Sequence, residues 1–204
     1  MGNQGRIAAV ERSRPRFFRL KANLKTLGAT NVQCYLKDGA QVWRATPERF
    51  DRVLLDAPCS GEGRFTDDPA TYKDWKKSKI RRLAAQQSRL LFSAVQCLKP
   101  GGVLVYSTCT LAPEENEGVI HRALEGFSEA LEIETICIPI EVKALAPVAA
   151  QPNHCQPGLT DWDGTAFHPS LRHATRLLSN GVFEGFFICK LRKKHSTLTV
   201  AAQA

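Results

Sequence analysis

The chain has 204 residues and a mass of 22.6 kDa, room for one domain of ordinary size, and its 43% hydrophobic and 24% charged residues strike the balance of a soluble globular protein. That excludes a disordered tail, a fibrous repeat and a multi-domain assembly. Lys and Arg number 28 against 20 Asp and Glu, a formal charge of +8; this favours a polyanionic partner, although a basic protein without a nucleic-acid role is compatible with charge alone.

Short apolar runs alternate with helical patterns, which predicts an α/β domain with a parallel sheet. Arg6 to Glu11 reads as a buried strand ending in an acid. Phe17, Leu20, Leu24 and Leu27 then recur at helical spacing, and Gly28 stands where a helix C-terminus favours glycine. Val32 to Leu36 reads as a second strand, with Asp38-Gly39 in a turn after it. Val53 to Asp56 is a third strand, again ending in an acid and stopped by Pro58. Residues 57–78 are polar and turn-rich. Ile80, Leu83, Ala84, Gln87, Leu90, Leu91, Ala94, Val95 and Leu98 trace one face of a long helix, ended by Lys99-Pro100-Gly101-Gly102. Val103 to Tyr106 is a fourth strand. Pro113 with Glu114, Glu115 and Glu117 is expected to open the next helix, since proline and acids suit a first turn. Ile133 to Ile140 is a candidate fifth strand. Residues 143–180, rich in Pro, Asn, His and Gly, read as a long irregular insertion, Glu184 to Leu191 as the last strand, and residues 196–204 as a frayed tail.

The seven cysteines include no C-x-x-C pair, so no metal site is expected, and an odd count argues against a disulfide scaffold. The first residues lack an apolar leader core, and no apolar run approaches the ~20 residues that cross a bilayer. The expectation is a reduced, cytoplasmic protein with no membrane partner. Free thiols are then available for chemistry.

Three acids, Glu11, Asp38 and Asp56, stand at or just after strand C-termini, the edge where open α/β sheets bind ligands. Any one of them alone reads as a solvated turn acid; three in order point to a nucleotide or S-adenosylmethionine site. Two cysteines share that edge: Cys59 in Asp56-Ala57-Pro58-Cys59-Ser60-Gly61 and Cys109 in Ser107-Thr108-Cys109-Thr110-Leu111. If their strands are neighbours, ~5 Å apart, both thiols face one crevice beside Asp56. Thiolate is the reactive form, and the helix expected at Pro113 could favour it at Cys109. Lys73, Lys76, Lys77, Lys79, Arg81 and Arg82, with Tyr72 and Trp75 interleaved, suit an RNA track; a solvated helix start with two core aromatics is an equal alternative. Arg192, Lys193, Lys194 and His195 read as a solubilising end. A cysteine hydrolase fits poorly, because no His precedes residue 121 to serve Cys59 or Cys109 from upstream.

Asp56-Ala57-Pro58-Cys59-Ser60-Gly61-Glu62-Gly63, Lys99-Pro100-Gly101-Gly102, Tyr106-Ser107-Thr108-Cys109-Thr110-Leu111 with Glu114-Glu115-Asn116-Glu117, and the closing Glu184-Gly185-Phe186-Phe187-Ile188 closely resemble the Sun (Fmu) family of RNA cytosine-carbon-5 methyltransferases. The resemblance runs from about Arg6 to Leu191 and is weakest in 143–180. It implies a Rossmann-like class I methyltransferase sheet with helices on both faces, spanning residues 1–195, S-adenosylmethionine as cofactor, and RNA as partner, ribosomal RNA before transfer RNA. It further implies Cys109 as the nucleophile on carbon 6 of cytosine, Cys59 as the group that helps release the enzyme, and Asp56 at the cytosine edge and in the cofactor site. Glu11 would hold the cofactor ribose, with Arg16 at a basic position of the same motif and Asp38 at the adenine end. The family's first strand and glycine-rich turn have no counterpart in this sequence, so a gap in the sheet and weakened cofactor binding are expected. An inactive remnant that binds RNA or a partner is the alternative.

Overall fold

The computed structural model describes residues 1–64, 73, 75–136, 155–179 and 183–198. Strand β1 (Ile7–Glu11) is followed by helix α1 (Arg14–Thr26) and strand β2 (Val32–Leu36). Gly28, at φ +67°, ends α1 as expected, its amide donating to the Lys25 carbonyl while Ala29 reaches back to Leu24. Strand β3 (Phe50–Asp56), helix α2 (Lys77–Cys97), strand β4 (Leu98–Thr108), helix α3 (Glu117–Phe127) and strand β5 (Leu131–Glu134) follow. Short strands β6 (Cys155–Pro157), β7 (Asp161–Trp162), β8 (Thr165–Ala166) and β9 (Thr175–Leu177) lead to β10 (Phe186–Lys193).

The strands fall into two principal sheets. β1 and β2 pair in parallel and form a sheet of their own. β3 and β4 pair in parallel, and the second sheet continues through β10, β9 and β6, with β5 also bonded to β10. No strand joins β1 to β3, so a break lies between the two units among the described residues. One face of the larger sheet carries the core: Leu91 and Val95 of α2, Val119, Ile120 and Leu124 of α3, Leu104 and Tyr106 of β4, and Phe187, Cys189 and Leu191 of β10. Strand alternation turns Leu54 to the other face, where it is 72% exposed.

Several expectations change at this level. Lys99-Pro100-Gly101-Gly102 lies inside β4 as an irregular stretch: Leu98 pairs with Phe50, and regular pairing resumes at Arg52 with Val103. α3 begins at Glu117 rather than Pro113, because Pro113–Asn116 forms a separate turn in which the Asn116 and Gly118 amides both donate to the Pro113 carbonyl. The side chains of Glu115, Asn116 and Glu117 are drawn inward to zero exposure, and Asn116 leaves the helical range at φ −107°, ψ −95°. The segment read as an irregular insertion supplies β6 and β9 to the main sheet and Leu171 and Ala174 to the core; strands of two or three residues are too short to leave a periodic pattern. Residues 137–140 of the expected fifth strand and 143–154 of that segment lie outside the described residues.

The basic end is also built in. β10 runs to Lys193, an inward position of its alternation, and the fully buried ammonium donates to Val95 and Leu98 carbonyls at the end of α2 and pairs with Glu48 at 2.9 Å. A cation suits a helix C-terminus, and burial lowers its pKa while Glu48 opposes that. Thr197, at the start of the expected tail, is buried and exchanges bonds with the Gln96 side chain. Lys193→Met should therefore lower the unfolding free energy by about 2 kcal/mol, since it strands two carbonyls and a carboxylate; the shift of the urea midpoint measures this, and an unchanged midpoint contradicts it.

Candidate active site

β3 and β4 are neighbours, with Asp56 opposite Ser107, so the loops leaving their C-terminal ends run side by side. Their side chains join in order along that path. The Ser107 hydroxyl donates to Asp56 at 3.2 Å. Cys59 Sγ lies 3.2 Å from Cys109 Sγ. The Ser60 and Thr110 hydroxyls are 2.8 Å apart, and Thr110 donates to Glu62. The two sulfurs are thus within hydrogen-bond reach on loops fifty residues apart, both half-buried, beside an exposed Asp56.

Backbone approach makes this possible. The Gly63 amide donates to the Cys109 carbonyl at 3.0 Å, and the Gly63 carbonyl accepts from the Gly185 amide at 2.8 Å. A Cβ on Gly63 would stand 1.9 Å from the Gly185 oxygen, so a side chain cannot be accommodated without displacing one of the three segments. The glycines in the Cys59 motif and before β10 therefore serve one contact.

The thiols differ in proton affinity. The hydrogen bond from Cys59 is the main influence on Cys109 and holds its pKa down to about 7, aided by the charge of Arg64 and opposed by burial and by Glu184. Cys59 is pushed far up, by that same bond and then by burial. The pair favours one arrangement, a Cys109 thiolate accepting from a Cys59 thiol. The cause differs from the one expected: α3 starts eight residues after Cys109, and the neighbouring sulfur acts instead of a helix terminus. Buried Cys97 and Cys189 have raised pKa values from desolvation.

Sequence reasoning gave no role to several residues that build the site. Glu115 accepts from the Ser60 amide and from Gln87 Nε2, and Gln87 also donates to the Pro58 carbonyl. Asn116 accepts from Thr108 and donates to the Thr110 carbonyl, spanning Cys109. Glu117 pairs with Arg176, buried with it, and Arg176 also reaches the Leu111 carbonyl. The available signals were Gln87, an amide among the apolar positions of α2, and the Glu114-Glu115-Asn116-Glu117 run quoted with the Cys109 motif.

Of the expected cofactor residues, Asp56 shares the sheet of the thiols, whereas Glu11, Arg16 and Asp38 belong to the unit of β1 and β2. Glu11, at the end of β1, accepts from the Ser13 amide at 2.7 Å and pairs with Arg16 at 3.0 Å. Asp38, after β2, accepts from the Ala40 amide and starts a short 3-10 helix, Gly39–Arg44. Among the described residues no hydrogen bond joins either acid to Asp56, Cys59 or Cys109. The donor set nevertheless suits a nucleoside: a carboxylate offers about four lone-pair sites and Glu11 uses two, leaving acceptors for ribose hydroxyls. Of the basic stretch, Lys76, Ser78, Lys79 and Arg82 line an open cleft of about 410 Å³. Trp75 is 41% exposed and donates to Glu62, so it is no core aromatic; Tyr72 lies outside the described residues.

Comparison with known proteins places these features in a family. The profile of the 16S rRNA methyltransferase RsmB/F family matches residues 1–192. Ribosomal RNA small subunit methyltransferase F of Aeromonas salmonicida is 40% identical over 198 residues, which cover 96% of this chain and 37% of the relative. The protein of the same name from Vibrio parahaemolyticus is 37% identical, with 96% and 37% covered. The chain thus spans little more than a third of the length of these relatives. Among solved structures, a methyltransferase homolog from Pyrococcus horikoshii superposes with a TM-score of 0.74 at 33% identity, over 94% of this chain and 54% of the other. NSun6 from the same organism, solved with SFG, gives 0.70 at 28% identity, over 95% and 42%.

Alkylation of Cys109 should be half-maximal near pH 7, and Cys59→Ala should move that midpoint up toward 9 because the donor bond is gone. Site-resolved mass spectrometry after iodoacetamide treatment across pH 6–9.5 reads both values. An unmoved midpoint in the Cys59 variant contradicts the assignment.

Proposed function

The chain belongs to the 16S rRNA methyltransferase RsmB/F family, and from that membership and its thiol pair we propose that it methylates carbon 5 of a cytosine in small-subunit ribosomal RNA through a covalent bond to Cys109. The observation that carries this reading is the 3.2 Å approach of Cys59 and Cys109 on the loops that leave strands β3 and β4, the first of which ends at Asp56. Carbon 5 of cytosine is a poor nucleophile in an intact ring. Addition of the Cys109 thiolate to carbon 6 turns the ring into an enamine; Asp56, carrying a proton, would donate it to ring nitrogen 3 as charge builds and take it back when the carbon–sulfur bond breaks. S-adenosylmethionine would be held by Glu11, Asp38 and Asp56 at the strand ends and by Arg16 in the first turn of α1, and would supply the electrophilic methyl group. The proton on carbon 5 must then leave, and the carbon–sulfur bond must break to restore the aromatic ring.

The thiol electrostatics support an order for these roles. While Cys109 is a thiolate, Cys59 is held protonated by the bond to it. Once Cys109 sulfur is bonded to carbon, that acceptor charge is gone. Cys59, partly open to solvent, can then give up its proton to water, and its thiolate takes the proton from carbon 5. General acid–base help of this kind is worth roughly 10²–10⁴-fold. The target base must be unstacked for attack, at a cost of roughly a few kcal/mol. Lys76, Lys79 and Arg82, with exposed Trp75, suit phosphates and a stacked base near the Cys59 loop.

One observation favours a second reading, an RNA- or partner-binding unit without catalysis. The break between β1 and β3 leaves Glu11 and Asp38 on a different sheet from the thiols. Covalent chemistry separates the two readings. Incubated with small-subunit ribosomal RNA and labelled S-adenosylmethionine, Cys109→Ala should lose methyl transfer by on the order of 10³-fold or more. Cys59→Ala should accumulate a denaturant-resistant protein–RNA adduct. Methylation by the Cys109 variant, or no adduct with the Cys59 variant, defeats the catalytic reading.

A further inference from the structure

We infer that Glu115 and Asn116 are the positioning residues of the thiol pair, Glu115 holding the Cys59 loop and Asn116 the Cys109 loop, so that the two sulfurs meet. The inference deepens the reading above and rests on it for its chemical meaning. Both side chains have zero exposure, and each contacts a different loop. The Glu115 carboxylate takes the Ser60 amide at 3.1 Å and Gln87 Nε2 at 2.7 Å; Gln87 holds the Pro58 carbonyl at 2.8 Å. The residues on either side of Cys59 are thereby tied to one carboxylate, directly or through one amide. Asn116 accepts from the Thr108 hydroxyl at 2.6 Å and donates to the Thr110 carbonyl at 2.9 Å, bracketing Cys109 in the same way.

Adjacent residues of one turn therefore set the positions of two thiols fifty residues apart in sequence. The turn is itself anchored. Tyr106, buried in the core, donates to the Glu115 carbonyl at 2.6 Å, and the Gly118 amide closes on the Pro113 carbonyl at 2.8 Å. A buried carboxylate is expensive to leave without donors, so the Cys59 loop cannot move away without stranding Glu115. Neither residue touches a sulfur in any described bond; each acts through the backbone that carries it.

The test uses the full chain and needs no RNA. Thiolate formation at Cys109 is read from site-resolved iodoacetamide alkylation between pH 6 and 9.5, in wild type, Glu115→Gln, Asn116→Leu and Gln87→Met. Among the described residues the charged or titratable groups that act on Cys109 are Cys59, Arg64 and Glu184, and Glu62 acts on Glu115. In Glu115→Gln and in the uncharged Asn116→Leu the midpoint should rise from about 7 toward 9, slowing alkylation at pH 7 by on the order of tenfold. The sign is diagnostic for Glu115→Gln, because removal of a negative charge alone would lower a nearby thiol's pKa. Lys193→Met is the control: it loosens the fold far from the thiols and should leave the profile where it was. Gln87→Met tests the Glu115 arm with an apolar side chain of similar volume and carries the test if the other two variants fail to fold. Folded variants with the wild-type midpoint overturn the inference alone. A wild-type midpoint near 9 overturns it together with the thiol bond, whereas a missing adduct in Cys59→Ala strikes only the catalytic reading.

Discussion

A hydrogen bond between two sulfurs is the contact on which the rest of this molecule turns. It exists because β3 and β4 lie side by side in parallel, which sends both following loops to one sheet edge. The bond divides the pair into unlike members. One thiol becomes easier to ionise because the other donates to it, and the donor becomes harder to ionise for the same reason. Two chemically identical side chains thus differ in how readily they ionise, with no cation needed as the main cause. Arg64 adds to the effect, while Glu184 and burial oppose it.

That contact is held by polar groups taken fully out of water. Glu115, Asn116 and Glu117 are consecutive and buried, and each engages a different segment: the Cys59 loop, the Cys109 loop, and Arg176 of β9. Buried polar networks are costly unless satisfied, and this one is nearly complete. Gln87 Oε1 is the one buried side-chain polar atom without a partner among the described residues. The neighbouring glycines contribute by absence: Gly63 and Gly185 let the Cys59 loop, the Cys109 loop and the approach to β10 meet backbone to backbone.

The RsmB/F family match spans both thiol loops, and the fold divides between two sheets. The thiols and Asp56 stand on the larger sheet, whose core is closed by α2 and α3. Glu11, Arg16 and Asp38 stand on the two-stranded unit of β1 and β2. α1 buries none of its residues, and Phe18 and Leu27 are 56% and 79% exposed. The part of the site that carries the thiols is therefore packed and nearly satisfied, while Glu11 and Asp38 sit on the separate two-stranded unit.

The sequence by itself determined the local elements and the chemical types at their ends. Val32 to Leu36, the run into Asp56, the apolar face of α2 and the glycine after α1 were legible because each obeys a short-range rule of periodicity or capping. The cysteine motifs were legible as chemistry for a similar reason: residue type and strand end suffice to suggest a thiol at a ligand edge. Tertiary structure decided everything that needs two distant segments at once. It decided that the sulfurs meet, that Glu115 and Asn116 reach different loops, that Lys193 is interior, and that the segment before β10 completes the sheet. It also set the start of α3, where bonds to Thr108 and Thr110 outweigh the helical preference of proline and acids. Such outcomes depend on which strands become neighbours and which donors lack water, and no window of sequence contains either quantity.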